Sequence, residues 1–153
     1  MTDTIESHLK HFGITLPEAA QPIANYVTTS QSGNQLFISG QLPLFNGKPI
    51  AIGKVGATVS AEQAKKSAEV CAINILAQIK TALSNLNKIK RVVKITVFVA
   101  ADPHFTDIPL VANGASDLFV NILGEAGKHA RSAVGVASLP MDVPVEVEAI
   151  IEI

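Results

Sequence analysis

An arginine stands near the start of a run of small and apolar residues, His129-Ala130-Arg131-Ser132-Ala133-Val134. A guanidinium in such company is costly to bury without an anionic partner, and its planar fork suits a carboxylate held by two parallel hydrogen bonds. Two readings follow: an anchor for an organic acid, or an internal ion pair with Glu146 or Glu148. Those acids and Glu152 sit at even spacing in Val145-Glu146-Val147-Glu148-Ala149-Ile150-Ile151-Glu152, which puts all three on one face of a strand. Most such ladders are wetted outer faces. Glu146 is the candidate acid or base. It lies nearest the expected hairpin end, and a like charge two residues away raises the pKa of a desolvated carboxylate.

Lesser candidates surround this pair. Tyr26, the only tyrosine, and Ser39-Gly40-Gln41, where a strand meets a loop, could offer hydroxyl and main-chain donors. Equally, they could be a half-buried aromatic and an ordinary turn. Asn113 beside Gly114 is either a polar contact or a solvated helix residue. Cys71 borders an apolar helix stripe and reads as packing. His8 and His11, three apart, lack a third metal ligand nearby and read as surface; His104 and His129 fall in loops and receive no role. Lys88-Ile89-Lys90-Arg91 has no interleaved aromatics and reads as a solvated turn rather than a nucleic-acid footprint. Signatures of phosphate loops, nucleophile elbows, H-E-x-x-H metal sites and dinucleotide binding are missing from the sequence.

The elements that must position these residues can be read from periodicity. Ile5, Leu9 and Phe12, with Gly13 behind them, predict a short amphipathic helix, and Pro17 and Pro22 mark a connector. Tyr26–Ser30, Gln35–Ser39 and Ile50–Val59, separated by Ser32-Gly33-Asn34 and Asn46-Gly47, predict an antiparallel meander. Ser60-Ala61-Glu62-Gln63 matches a capping box. It opens a helix whose stripe is Ala64, Ala68, Ala72, Ile75, Ile79, Leu83 and Leu86. Val92–Ala100 is a strand whose near-continuous apolar run predicts a central place. A second long helix is expected over 107–123, with Asp107 as cap and Pro109 in the first turn. Arg131–Ala137 and Val143–Ile153 are expected to close the fold as a strand pair. Both long helices carry a single apolar stripe, so they should share one face of the sheet in a two-layer α+β sandwich. The other face needs cover, and self-association is the simplest.

Composition agrees. In 153 residues there are 12 basic and 13 acidic side chains, so no net charge draws the chain to nucleic acid or an anionic membrane. Only 16% of residues are charged and 48% are apolar, with mean hydropathy +0.34, a greasy profile for a monomer. No stretch approaches a membrane span, and the opening MTDTIESHLKHFG carries acids where a secretory signal carries bases. One domain, 1–153, with residues 1–21 as an N-terminal extension, in a cytoplasmic protein, is the expectation.

With these residues in place, the chain resembles the Rid/YjgF family of reactive-intermediate deaminases, some members of which are described as endoribonucleases. The resemblance covers roughly residues 22–153. It rests on Ala24-Asn25-Tyr26-Val27, Gly33-Asn34, Ile38-Ser39-Gly40-Gln41-Leu42-Pro43, Val92–Val99, Asn113, Ala130-Arg131-Ser132, Leu139-Pro140 and Pro144-Val145-Glu146-Val147-Glu148-Ala149-Ile150. The family implies a chorismate-mutase-like fold, a mixed sheet, and a homotrimer with clefts between subunits. By resemblance, Arg131 holds a ligand carboxylate and Glu146 positions the attacking water. Tyr26, Ser39, Gly40 and Asn113 match further pocket positions. The chain departs from the family in Ala24-Asn25, where many members have glycine-proline, and in Ala133, where the family has a cysteine. A main-chain carbonyl from Ala133 would serve as well as one from cysteine.

The resemblance implies hydrolysis of small enamine or imine acids, such as 2-aminoacrylate, to 2-oxo acids and ammonia. No metal or organic cofactor is expected, because an imine carbon is already electrophilic. The alternative is a non-catalytic trimer that binds small carboxylates or partner proteins in the same clefts. A ribonuclease comes third, disfavoured by the neutral charge.

Overall fold

The computed structural model describes residues 4–153; residues 1–3 of the expected extension lie outside the described residues. Along the chain come α1 (Ile5–His11), β1 (Thr29–Ser32), β2 (Gln35–Gln41), β3 (Leu44–Phe45), β4 (Lys48–Pro49), α2 (Ala61–Leu83), β5 (Arg91–Ala100), α3 (Ile108–Leu123), β6 (Ala130–Val136) and β7 (Val145–Glu152). The main sheet has the order β1-β2-β7-β5-β6, and β3 pairs with β4 in a separate small hairpin. Among the described residues β5 and β6 are the parallel neighbours of this sheet, and the other neighbours run antiparallel. The result is a mixed α+β fold with α2 and α3 on one face of the sheet.

Local chemistry accounts for the helices. The Ser60 hydroxyl accepts the Gln63 amide at 3.1 Å while the Gln63 side chain accepts the Ser60 amide at 2.8 Å, so two orphan donors of α2 are satisfied. Ala64, Ala68, Ala72, Ile75 and Ile79 are buried on the predicted stripe. Leu86 is also buried, but from a short 3-10 turn beyond the helix. In α3, Pro109 occupies the first turn, and Asp107 precedes it without making the expected side-chain cap. Gly114 has a plain reason: a Cβ there would collide with the Lys65 carbonyl, so its absence lets α3 press against α2.

Alternation decides the faces of the sheet. Val145, Val147, Ala149 and Ile151 of β7 and Ile95, Val97 and Val99 of β5 are buried under the helices. Each fully buried valine or isoleucine contributes roughly 1.5–3 kcal/mol relative to exposure. The opposite face stays open in the protomer: Phe37 is 41% and Val134 44% exposed.

Several expectations are corrected. Ile50–Val59 is not a strand; Gly53 and Gly56 take φ of 119° and 89°, and only single bridges join Val55 to Val59 and Ala101. The first strand begins at Thr29, not Tyr26. The last two strands do not pair with one another, because β5 lies between β6 and β7. β5 is therefore an inner strand, but β7 is the middle one. The pairing follows from β5-α3-β6, a strand–helix–strand unit whose crossover helix permits parallel neighbours. His8 is not simply surface: its Nδ1 meets the Ile122 carbonyl at 2.7 Å and holds α1 on α3. Among the described residues, no helix is long and apolar enough to cross a membrane.

Candidate functional site

Arg131 is the second residue of β6, an edge strand, at the register of Ile95. Ile95 faces the helices, so Arg131 does too, and its Nη1 donates to Asn113 Oδ1 at 2.8 Å and to Ser116 Oγ at 3.1 Å. Asn113 and Ser116 lie three apart on α3 and share one face of it. Both acceptors are neutral. Among the described residues Arg131 makes no salt bridge, and the proposed internal pair with Glu146 or Glu148 is not formed. A half-buried guanidinium thus keeps its full charge and three of its five N–H donors.

Glu146 stands at the register of Phe98, on the open face of the sheet. It is half-buried, and burial, then repulsion from Glu148, raises its pKa above the usual carboxylate range. Its carboxylate lies over Gly40, in the irregular part of β2 between Ile38 and Gln41; a Cβ on Gly40 would strike it. Ser39 donates its hydroxyl to the Val27 carbonyl at 2.8 Å, which ties the exposed Tyr26-Val27 segment beside this group. Gly40→Ala should therefore leave folding nearly intact, since a flexible carboxylate can swing aside, yet displace Glu146. Thermal unfolding within a few degrees of wild type, with at least a tenfold loss of the activity proposed below, is the expected result.

The candidates fall into two groups. Arg131, Asn113 and Ala133 sit on the helix side of the sheet edge; Glu146, Gly40, Ser39 and Tyr26 belong to the β2–β7 side. Within one chain they do not converge, because Ile95 and Phe98 alternate to opposite faces of β5. Two concave surfaces of the described residues lie elsewhere. One is a groove between α2 and α3 lined by Lys65, Glu69, Asp117 and Asn121, and another, at the ends of β5 and β6, is lined by Asp102, Phe105 and Gly135. Cys71 is buried, and burial pushes its thiol well up, as packing would. Among the described residues no three histidine, cysteine or acidic side chains gather as a metal site needs.

Ser116 and His129 were not foreseen. His129 Nε2 lies 2.8 Å from Ser116 Oγ, so the arginine, the serine and the histidine form one chain of hydrogen bonds. Two signals could have found them: the i, i+3 spacing of Asn113 and Ser116 on a helix, and the position of His129 two residues before Arg131, just ahead of β6.

Comparison with known proteins agrees with this fold. The family model described as YjgF/chorismate mutase-like matches residues 6–152. Protein TCP17 of Trypanosoma cruzi is 45% identical over 150 residues, covering 97% of this chain and 94% of its own. The 2-iminobutanoate/2-iminopropanoate deaminase of Escherichia coli is 36% identical, with 90% and 94% covered. The crystal structure of protein Atu1372 from Agrobacterium tumefaciens superposes with a TM-score of 0.92 at 53% identity, over 97% of this chain and 92% of that one. The chain belongs to the Rid/YjgF family.

Proposed function

We propose that the protein hydrolyses small enamine or imine acids to 2-oxo acids and ammonia, in clefts where the Arg131 edge of one protomer meets the open Glu146 face of another. One observation carries this reading: a half-buried guanidinium that, among the described residues, is held by neutral acceptors alone and has no counter-charge, with donors to spare. The named activity of the E. coli relative supports it. Because the two half-sites occupy different surfaces, the association is heterologous, and a closed ring such as a trimer gives every protomer both partners. The exposed Phe37 and Val134 on the open face favour such cover.

The chemistry follows from the residues. Arg131 takes the substrate carboxylate and fixes the imine carbon. Glu146, ionised, takes a proton from water as its oxygen bonds to that carbon. Glu146 passes that proton to the nitrogen, the hydroxyl proton of the resulting carbinolamine follows it as the oxygen becomes a carbonyl, the C–N bond breaks, and ammonia leaves with the 2-oxo acid behind. Asn113 orients the arginine, the Ala133 carbonyl helps hold the water, and Tyr26 with Ser39 lines the opposite wall. A carboxylate with a raised pKa is the stronger base once ionised. The cost is that it works only above that pKa, so activity should fall on the acid side of a limb lying above the usual carboxylate range. Glu148→Gln removes one of the two causes of the shift, and the acid limb of kcat/KM should move to lower pH.

Ammonia release from an enamine generated in place by a dehydratase tests the proposal; wild-type protein no faster than buffer contradicts it. A second reading, carboxylate binding without turnover, is favoured by the separation of the two half-sites within a protomer. Calorimetric binding of 2-oxobutanoate in the absence of ammonia release would establish it. A protomer edge that binds but never meets a Glu146 face would behave this way.

A further inference from the structure

We propose that Ser116 and His129 are positioning residues that set the orientation of Arg131 and so present one particular fork of its guanidinium to the ligand carboxylate. The inference rests on reading Arg131 as the carboxylate anchor, and goes beyond it by assigning roles to two residues outside the anchor and base.

The directions of the hydrogen bonds are determined by counting protons. Arg131 Nη1 has two hydrogens, and two protein acceptors take them: Asn113 Oδ1 at 2.8 Å and Ser116 Oγ at 3.1 Å. Since Ser116 Oγ accepts from arginine, its single proton is free to donate to His129 Nε2, 2.8 Å away. The Gly127 carbonyl, 2.6 Å from Nδ1, can only accept, so Nδ1 carries the ring proton and Nε2 is the nitrogen left to accept from Ser116. Every donor in the series Arg131, Ser116, His129, Gly127 finds an acceptor. The series also ends on a rigid support. Gly127 is buried and packs so closely on the last turns of α3 that a Cβ would meet the Phe119 carbonyl. The buried Phe119 ring meets the His129 ring edge-on, centroids 6.1 Å apart and planes at 78°. The imidazole is thus held by a main-chain carbonyl, a ring edge and a hydroxyl, which is more restraint than a loop histidine needs.

The consequence lies in the donors that remain. With Nη1 fully engaged, Nε–H and the near hydrogen of Nη2 form a side-on fork matched to a carboxylate. Holding Nη1 removes rotamer freedom that a long arginine would otherwise lose on binding. Ser116 and His129 should therefore act on ligand binding and leave the water-addition step alone.

The test is calorimetry with 2-oxobutanoate, paired with steady-state kinetics and with NMR of the arginine side-chain N–H groups. Ser116→Ala and His129→Leu should weaken 2-oxobutanoate about tenfold, as loss of one hydrogen bond in the series implies. KM should rise with kcat little changed. His129→Gln places an acceptor oxygen near the Nε2 position and should restore binding to within about threefold of wild type. Slowly exchanging Nη1 protons of Arg131 should be resolved in the wild type and lost in Ser116→Ala. Wild-type affinity in both Ser116→Ala and His129→Leu overturns the proposal, and so does a His129→Gln variant as weak as His129→Leu. Wild-type protein that does not bind 2-oxobutanoate overturns the anchor reading itself; identical Nη1 signals in wild type and Ser116→Ala overturn the positioning role separately.

Discussion

Replacing Arg131 with alanine should lower kcat/KM by about two to three orders of magnitude. Losing one partner of a desolvated, charge-assisted contact costs about 2–5 kcal/mol, and each 1.4 kcal/mol is about tenfold. Most of the loss should appear as weaker binding, measured directly as the disappearance of 2-oxobutanoate heat in calorimetry. The fold should survive, because Arg131 makes only two hydrogen bonds to neutral side chains and no ion pair among the described residues. Arg131→Lys separates charge from shape. An ammonium keeps the charge without the planar fork, so it should recover part of the affinity and not all of it. Wild-type binding by Arg131→Ala would remove the anchor from the account.

Glu146→Gln should act on the other half of the reaction. Loss of a positioned general base lowers kcat by about 10²–10⁴-fold, while 2-oxobutanoate should still bind, since in the proposed cleft its carboxylate is held by a different group, Arg131 of the neighbouring protomer. Stability should move the other way. The folded-state pKa of Glu146 lies above its unfolded value, owing first to burial and second to Glu148. A carboxyl with a raised folded pKa favours the folded state when protonated. That contribution is fully present below the unfolded pKa and is lost as pH rises through the folded one. Wild type loses it as pH rises, and the neutral amide has no such cost. Glu146→Gln should thus unfold at an equal or higher temperature than wild type at pH 7, a difference that narrows on acidification. A variant that is inactive and also markedly less stable would point to a structural role for this carboxylate.

How much of this was legible in the sequence depends on the range of the interactions. The Ser60–Gln63 capping box, the alanine-rich stripe of α2 and the alternation of Val145 to Ile151 are local patterns, and each appears where periodicity placed it. Strand partners are a different matter. β6 and β7 follow one another in the chain and look like a hairpin, yet α3 between β5 and β6 makes those two parallel neighbours and leaves β6 at the edge. Ile50–Val59 has the β-branched content of a strand, but Gly53 and Gly56 take left-handed φ and break the ladder. The same nonlocality hid the Ser116–His129 contact. The two residues are 13 apart, and only the turn at Gly124–Gly127 brings the end of α3 back to the start of β6. Arg131 was conspicuous as a lone cation on a small-residue strand. Of its neutral partners Asn113 was already a candidate, but Ser116 was not, because a serine on a helix usually faces water.

The central claim is that Arg131 and Glu146 work together only across two protomers, and a mixing experiment addresses it most directly. Arg131→Ala and Glu146→Gln proteins, each inactive, are unfolded together in equal amounts, refolded, and assayed for ammonia release from the dehydratase-generated enamine. If one chain lends the guanidinium and its neighbour the carboxylate, random assortment restores about a quarter of the wild-type clefts, and activity should return to about that level. If both groups serve one cleft from the same chain, no mixture holds an intact site, and activity that stays at the level of the separate variants contradicts the account.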